Sequence, residues 1–173
     1  MTRLLLALAL ALFASAPALA QDMPLSQILV DGEGWKKAEG GPKKPAPREG
    51  APVAAESPDG QTGFVWQPKA GRFIEARQAG APEGVPAAPY CPVRQKRGKG
   101  VTEVTSLTTD RDGRIYAATE IGVQVFDPTG RMCGVLTPAA PGRPEHLAFE
   151  GDRLTLWVGD TKYARKLNTR GAK

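Results

Sequence analysis

Histidine occurs once in this chain, at His146, cysteine twice and asparagine once, at Asn168. One histidine excludes any site built from several imidazoles. Two distant cysteines with that histidine do not make the usual zinc-ligand spacing. No serine sits in a nucleophile-elbow context, so no Ser-His-Asp arrangement can be named. Aromatic residues are sparse, at 6%. Beyond the first 20 residues no run is apolar enough to cross a membrane. What the chain has in quantity is 20 glycines and 16 prolines among 173 residues. Both are poor inside helices, which argues against an all-helical bundle. The length fits one ordinary domain.

The N-terminus reads as a targeting segment. Arg3 is followed by a nearly unbroken apolar run, Leu4 to Phe13, and then by small residues ending at Ala20. Charge, short apolar core and an A-x-A ending are the pattern of a secretory signal peptide, residues 1–20. The run is too short to span a bilayer about 30 Å thick. The expected location is therefore the periplasm or the extracellular space. An oxidising compartment would permit Cys91 and Cys133 to pair, and a disulfide between them is the expectation. Two buried free thiols are the alternative.

Further along, Ile28 to Val30 is a short strand signal ending in an Asp-Gly turn. From Lys36 to Gly60 there are five prolines, four glycines, several charges and no aromatic residue. Such a stretch buries too little apolar surface to offset its ordering entropy, and it reads as a linker or long loop. Residues 21–62 are thus expected as one short strand plus linker, and 63–173 as the folded domain. Gly63 to Arg77 reads as a hairpin turning at Pro68 and Gly71. After Val101, short Val/Thr/Leu-rich runs alternate with turns at Asp110–Gly113, Asp127–Gly130 and Gly151–Asp152. Close, regular spacing of this kind means an all-β domain. Two approximate repeats reinforce it. The unit Gly113–Thr119 recurs after Asp152, about forty residues on, the length of one four-stranded propeller blade. Gly63–Arg72 and Gly122–Arg131 share a ten-residue frame closed by Gly-Arg.

Four segments stand out between residues 107 and 160: Thr109-Asp-Arg-Asp-Gly-Arg-Ile-Tyr-Ala-Ala-Thr119, Gly122-Val-Gln-Val-Phe-Asp-Pro-Thr-Gly-Arg131, Pro144-Glu-His-Leu-Ala-Phe-Glu-Gly151 and Leu154-Thr-Leu-Trp-Val158. On these segments the stretch resembles the C-terminal blades of the gluconolactonase and regucalcin (senescence marker protein) family. Ile28 to Trp35 looks like the entry segment before a first blade. The resemblance implies a six-bladed β-propeller that binds one divalent metal, calcium or zinc, at the channel mouth and hydrolyses lactones. It also implies a ligand set of an early Glu, a middle-blade Asn and a late Asp. The place of that Asp falls on Thr105, and a hydroxyl is a poor substitute for a carboxylate on a hard divalent ion. Glu39-Gly-Gly-Pro42 lacks the Phe-Thr of the early Glu motif, and Asn168 is too near the C-terminus to serve. On this reading the metal site is absent and no cofactor is expected. Length adds an objection of its own: 63–173 is 111 residues, two blades and part of a third, whereas a ring needs at least four.

The remaining candidates are Glu103, Thr105, Asp110 and His146 as ligand-facing residues. Asp110 and Asp112 are read as turn formers, and His146 as packing at a strand start. Glu103 and Glu120 could point the same way from neighbouring strands. Arg94 to Gly100 is the densest basic run and reads as a solvated loop; for an exported chain nucleic acid is not an expected partner. Trp66, Tyr116 and Trp157 could stack on a sugar, but aromatics in strands are more often core. The expectation is therefore an exported, partial or reduced β-propeller of two to three blade units. It would bind a small ligand, such as a sugar lactone, or associate with itself or another chain through blade edges. The rival is a metal-dependent lactone hydrolase whose ligands are divergent or supplied by several chains.

Overall fold

The computed structural model describes residues 23–40, 52–82, 84–98 and 100–172. Its strands are β1 (Lys36–Lys37), β2 (Val53–Glu56), β3 (Thr62–Trp66), β4 (Phe73–Gln78), β5 (Ala88–Pro92) and β6 (Val104–Thr109). They continue with β7 (Ile115–Thr119), β8 (Gly122–Phe126), β9 (Met132–Leu136), β10 (Pro144–Glu150), β11 (Arg153–Val158) and β12 (Thr161–Lys166). All pairings between strands are antiparallel, in three four-stranded sheets ordered β2-β3-β4-β5, β6-β7-β8-β9 and β10-β11-β12-β1. Among the described residues these are three blade-like units, and the expected all-β partial propeller is what they form.

Repeated turn chemistry sets the hairpins. In Asp110-Arg-Asp-Gly-Arg114 the Asp110 Oδ1 accepts the backbone N–H of Asp112 and of Arg114, at 3.0 and 2.9 Å. In Asp127-Pro-Thr-Gly-Arg131 the Asp127 Oδ1 accepts those of Thr129 and Arg131, at 2.8 and 3.0 Å. Each closing arginine then donates to the second oxygen of its own aspartate, both at 3.1 Å. The carboxylate thus fixes the turn while Gly113 and Gly130 take a φ of 84°, which disfavours other residues. Burial alone would raise the pKa of Asp127. Hydrogen bonds from Thr129, the backbone and Arg131 outweigh it and hold the carboxyl below its ordinary value.

Strand alternation then builds two cores on either side of the middle sheet. Ile115 and Ala117 face one way with Phe126, against Phe64, Trp66, Ile74 and Cys91 of the first sheet. Tyr116 and Ala118 face the other way with Val123 and Val125, against Leu147, Leu154 and Leu156 of the third. Every residue of β7 and β8 is buried. Fully burying side chains such as Ile115 or Phe126 contributes about 1.5–3 kcal/mol each.

The segment before β1 fills the seam between the second and third sheets. Ile28 sits in the second core at 1% exposure, and Asn168 N–H donates to its carbonyl at 2.9 Å. Trp35 Nε1 donates to the Thr137 carbonyl at 2.8 Å. The strand expected at Ile28–Val30 is not one: a 3-10 turn at Leu25–Gln27 precedes a single bridge between Leu29 and Leu167. The linker reading of 36–60 also needs correction. β1 pairs with β12, and β2 with β3, so both ends of that stretch belong to sheets. Their composition misleads because β1 is an outermost strand, where lysine is tolerated, and β2 is short and only half-buried. Residues 41–51 and the expected signal peptide, 1–20, lie outside the described residues. Among the described residues no helix is long and apolar enough to cross a membrane.

Candidate functional site

β2, β6 and β10 are the innermost strands, and β6 lies against both of the others. Two of the three begin with the same irregularity. Val104 pairs with Thr119 and Ser106 with Ala118, which leaves Thr105 as an extra, bulged residue. In β10, Pro144 pairs with Val158 and His146 with Trp157, leaving Glu145 in the equivalent place. A bulge re-aims its side chain out of the strand alternation and is over-represented beside functional sites. The two strands are stitched just beyond, where Leu147 N–H donates to Ser106 Oγ at 3.0 Å.

Thr105 lines a groove of about 520 Å³ together with Lys96, Val101, Glu103, Glu120, Gly142 and Arg143. Glu103 takes both Arg143 nitrogens, Nη2 at 2.6 Å and Nε at 3.1 Å. Glu120 takes Lys96 Nζ at 3.3 Å. The Thr105 hydroxyl donates to the Ala118 carbonyl at 3.3 Å. Of the expected ligand-facing residues, Glu103 and Thr105 thus share one groove, joined by Glu120. Asp110 does not join them. It is fully buried, and beyond the two backbone donors it accepts from Arg114 and from the Tyr116 hydroxyl at 2.9 Å. His146 is half-buried on the far face of the third sheet, beside Trp157, and burial lowers its pKa, favouring neutral imidazole. Trp66 and Tyr116 are core residues; Trp66 Nε1 donates to the Gly71 carbonyl at 3.1 Å. Glu145 is the residue that sequence reasoning passed over. Aligning Val104-Thr-Ser106 with Pro144-Glu-His146 would have found it, since both open an inner strand.

The expected Cys91–Cys133 disulfide is not formed; both are free thiols. Cys91 packs into the core between the first and second sheets. Cys133 is itself a bulged residue, lying between Met132 and Gly134 in their pairing with β8. It therefore packs against the opposite core. The middle sheet separates them. Desolvation pushes the Cys91 thiol up to about 12 and that of Cys133 to about 11, so both stay protonated at neutral pH.

The fold and this groove define a partial β-propeller with its candidate site at the mouth of the inner strands. No family model matches the chain, and no curated protein matches it. Solved structures do. A gluconolactonase from Xanthomonas campestris is 26% identical over 67% of this chain, with a TM-score of 0.54. A calcium-binding protein, regucalcin, from Agrobacterium tumefaciens is 20% identical over 69%, with a TM-score of 0.53. The relationship expected from the sequence is thus present in the fold. The chain spans 37% of the first structure and 46% of the second.

A divalent metal of the kind that family implies does not fit the residues of this groove. A hard cation takes six to eight oxygens, with carboxylates prominent among them. Here Glu103 and Glu120 are each engaged by a cation, and Thr105 offers a hydroxyl already hydrogen-bonded. Among the described residues no three His, Cys, Asp or Glu converge.

Proposed function

We propose that this chain is an exported, gluconolactonase-like partial β-propeller that works as a binding or assembly module without the family's metal site. The observation that carries this reading is the pairing of both groove carboxylates with basic side chains around Thr105. A groove whose charges cancel in this way suits a small polar ligand such as a sugar lactone better than a free cation. The test is a lactone-hydrolysis assay across titrations of calcium, zinc and manganese. The expected result is no turnover above the uncatalysed rate at any metal concentration. Metal-dependent turnover that is lost with Glu103→Gln would overturn the reading.

A second reading, a metal-dependent lactone hydrolase with a divergent or oligomer-built site, is favoured by the 26% identity to the Xanthomonas gluconolactonase. The same assay decides between them.

A further inference from the structure

Two connections leave the first sheet at the end of the fold that carries Thr105. The turn between β3 and β4 brings Lys69 and Arg72 there, and the longer connection from β5 to β6 brings Arg94, Lys96 and Arg97. All five side chains are exposed. The two connections touch, since Val93 N–H donates to the Arg72 carbonyl at 2.8 Å. We infer that this end of the first and second sheets is a docking surface for an anionic lipid bilayer, which the chain meets from one side without crossing it. Lys96 and Val101 also line the Thr105 groove, but docking here needs no ligand in it.

The charge at this end is one-sided. Glu103 and Glu120 are its carboxylates over the first two sheets, and they are taken by Arg143 and Lys96. Glu75 is half-buried within β4. Glu39, Glu145 and Asp160 lie at the same end but on the third sheet's side. Lys69, Arg72, Arg94 and Arg97 therefore face solvent, and among the described residues none of them is ion-paired. Arg72 rests over the Phe73 ring, 5.3 Å from its centroid, which leaves the guanidinium charge uncancelled.

The loop that carries the arginines is held from below. Gln124 is fully buried in β8, and its amide is used on this loop: Oε1 accepts the Arg94 N–H at 2.7 Å, and Nε2 donates to the Arg94 carbonyl at 3.1 Å. Thr102, also fully buried, accepts the Lys96 N–H on Oγ1 at 3.0 Å and donates its own N–H to Gln95 Oε1 at 2.7 Å. A buried amide is costly unless its hydrogen bonds are made. Here they fix the main chain and leave the arginine side chains to a partner, so docking need not order the loop. Val101 points to a lipid surface over a soluble polyanion. It ends the same basic run and, at 53%, is the most exposed large apolar side chain among the described residues. A polyanion in solution answers to charge alone. A bilayer interface takes both parts, cations at the headgroup phosphates and an apolar side chain at the acyl boundary.

Co-sedimentation of the purified protein with vesicles tests this. Vesicles of phosphatidylcholine and phosphatidylglycerol in roughly a two-to-one ratio should bind it, and phosphatidylcholine alone should not. Binding should fall between about 0.1 M and 1 M salt, as the screening length shrinks from about 10 Å to about 3 Å. Arg94→Ser with Arg97→Ser should lower the partition coefficient about tenfold or more, since each cation near an anionic surface contributes about fivefold. Val101→Ser should weaken binding to these vesicles and leave binding to dextran sulfate unchanged. Arg153→Ser with Lys166→Ser removes the same charge at the opposite end of the third sheet and should leave vesicle binding unchanged. All five positions are exposed, so folding is not at stake. No binding to the anionic vesicles at low salt, or equal losses from the two charge pairs, would overturn the proposal. So would a Val101 variant that binds vesicles like the unaltered chain, which would make the partner a soluble polyanion.

Discussion

Arg143 reaches from the approach to β10 to Glu103, just ahead of β6, and holds both carboxylate oxygens, bridging two adjacent sheets at the groove. Both side chains are more than half exposed. Water therefore screens the pair, and its contribution to folding is about 0.2–1 kcal/mol. Its effect is on what the groove can accept, because a paired carboxylate is a weak ligand for a free cation.

Arg143→Ala combined with Lys96→Ala should therefore leave stability within about 1 kcal/mol of the unaltered protein in urea melts. It should still leave the groove without a calcium response, because two carboxylates and a hydroxyl fall short of the six to eight oxygens a hard cation takes. Thermal melts with and without millimolar calcium read this directly: no rise in Tm is expected in either protein. A rise in the double variant would show that the pairing, not the ligand set, excludes the ion.

The buried turn behaves differently. Tyr116→Phe leaves Asp110 without one of its donors inside the core, at an expected cost of about 1–3 kcal/mol. Gly122→Ala should cost more. Its φ is 121°, and an added Cβ would lie 2.1 Å from the Leu136 carbonyl oxygen, so β8 and β9 could not keep their register. Denaturant midpoints rank the two, and a silent Gly122→Ala would contradict the register.

Thiol labelling should find both cysteines free. In the unfolded, unreduced protein two equivalents should react. In the native state at pH 7 both should react slowly, because the thiolate forms are suppressed in the cores. Mass spectrometry after alkylation counts them.

Acid should weaken the fold in part through His146. Burial lowers its folded pKa, so the unfolded chain takes up a proton near 6.5 while the folded chain does not. Stability is thus full above about pH 6.5 and declines as pH falls toward the folded pKa. His146→Gln should flatten the slope of unfolding free energy between pH 6.5 and 5, measured by urea melts at each pH.

The Gly63–Arg77 hairpin and the hairpins after Val101 were legible because Gly-Asp turns and β-branched alternation are local signals. β5 (Ala88–Pro92) was not, because its alanine and prolines read as a break until β4 pairs with it. Glu103 and Glu120 could be placed near each other on the same grounds. What could not be read depended on distant partners. Lys36–Lys37 carries no strand signal of its own and becomes a strand because β12 offers it an edge. Thr105, Cys133 and Glu145 look like ordinary strand residues, and only the pairing across each bulge shows where they turn. The disulfide expectation failed for that reason: spacing along the chain says nothing about which side of a sheet a bulged cysteine takes.

The pairing of Lys36 and Lys37 with Ala164 and Tyr163 has a consequence for the order of folding. The first two sheets can be completed from strands that follow one another in synthesis. The third stays one strand short until residue 164 has emerged, and then it recruits an edge made near the start. That long-range closure is the slow, late event. Until it happens the β12 edge is exposed to any other strand. Conditions that let other chains compete with it, such as high chain concentration during refolding, should favour aggregates joined at that edge.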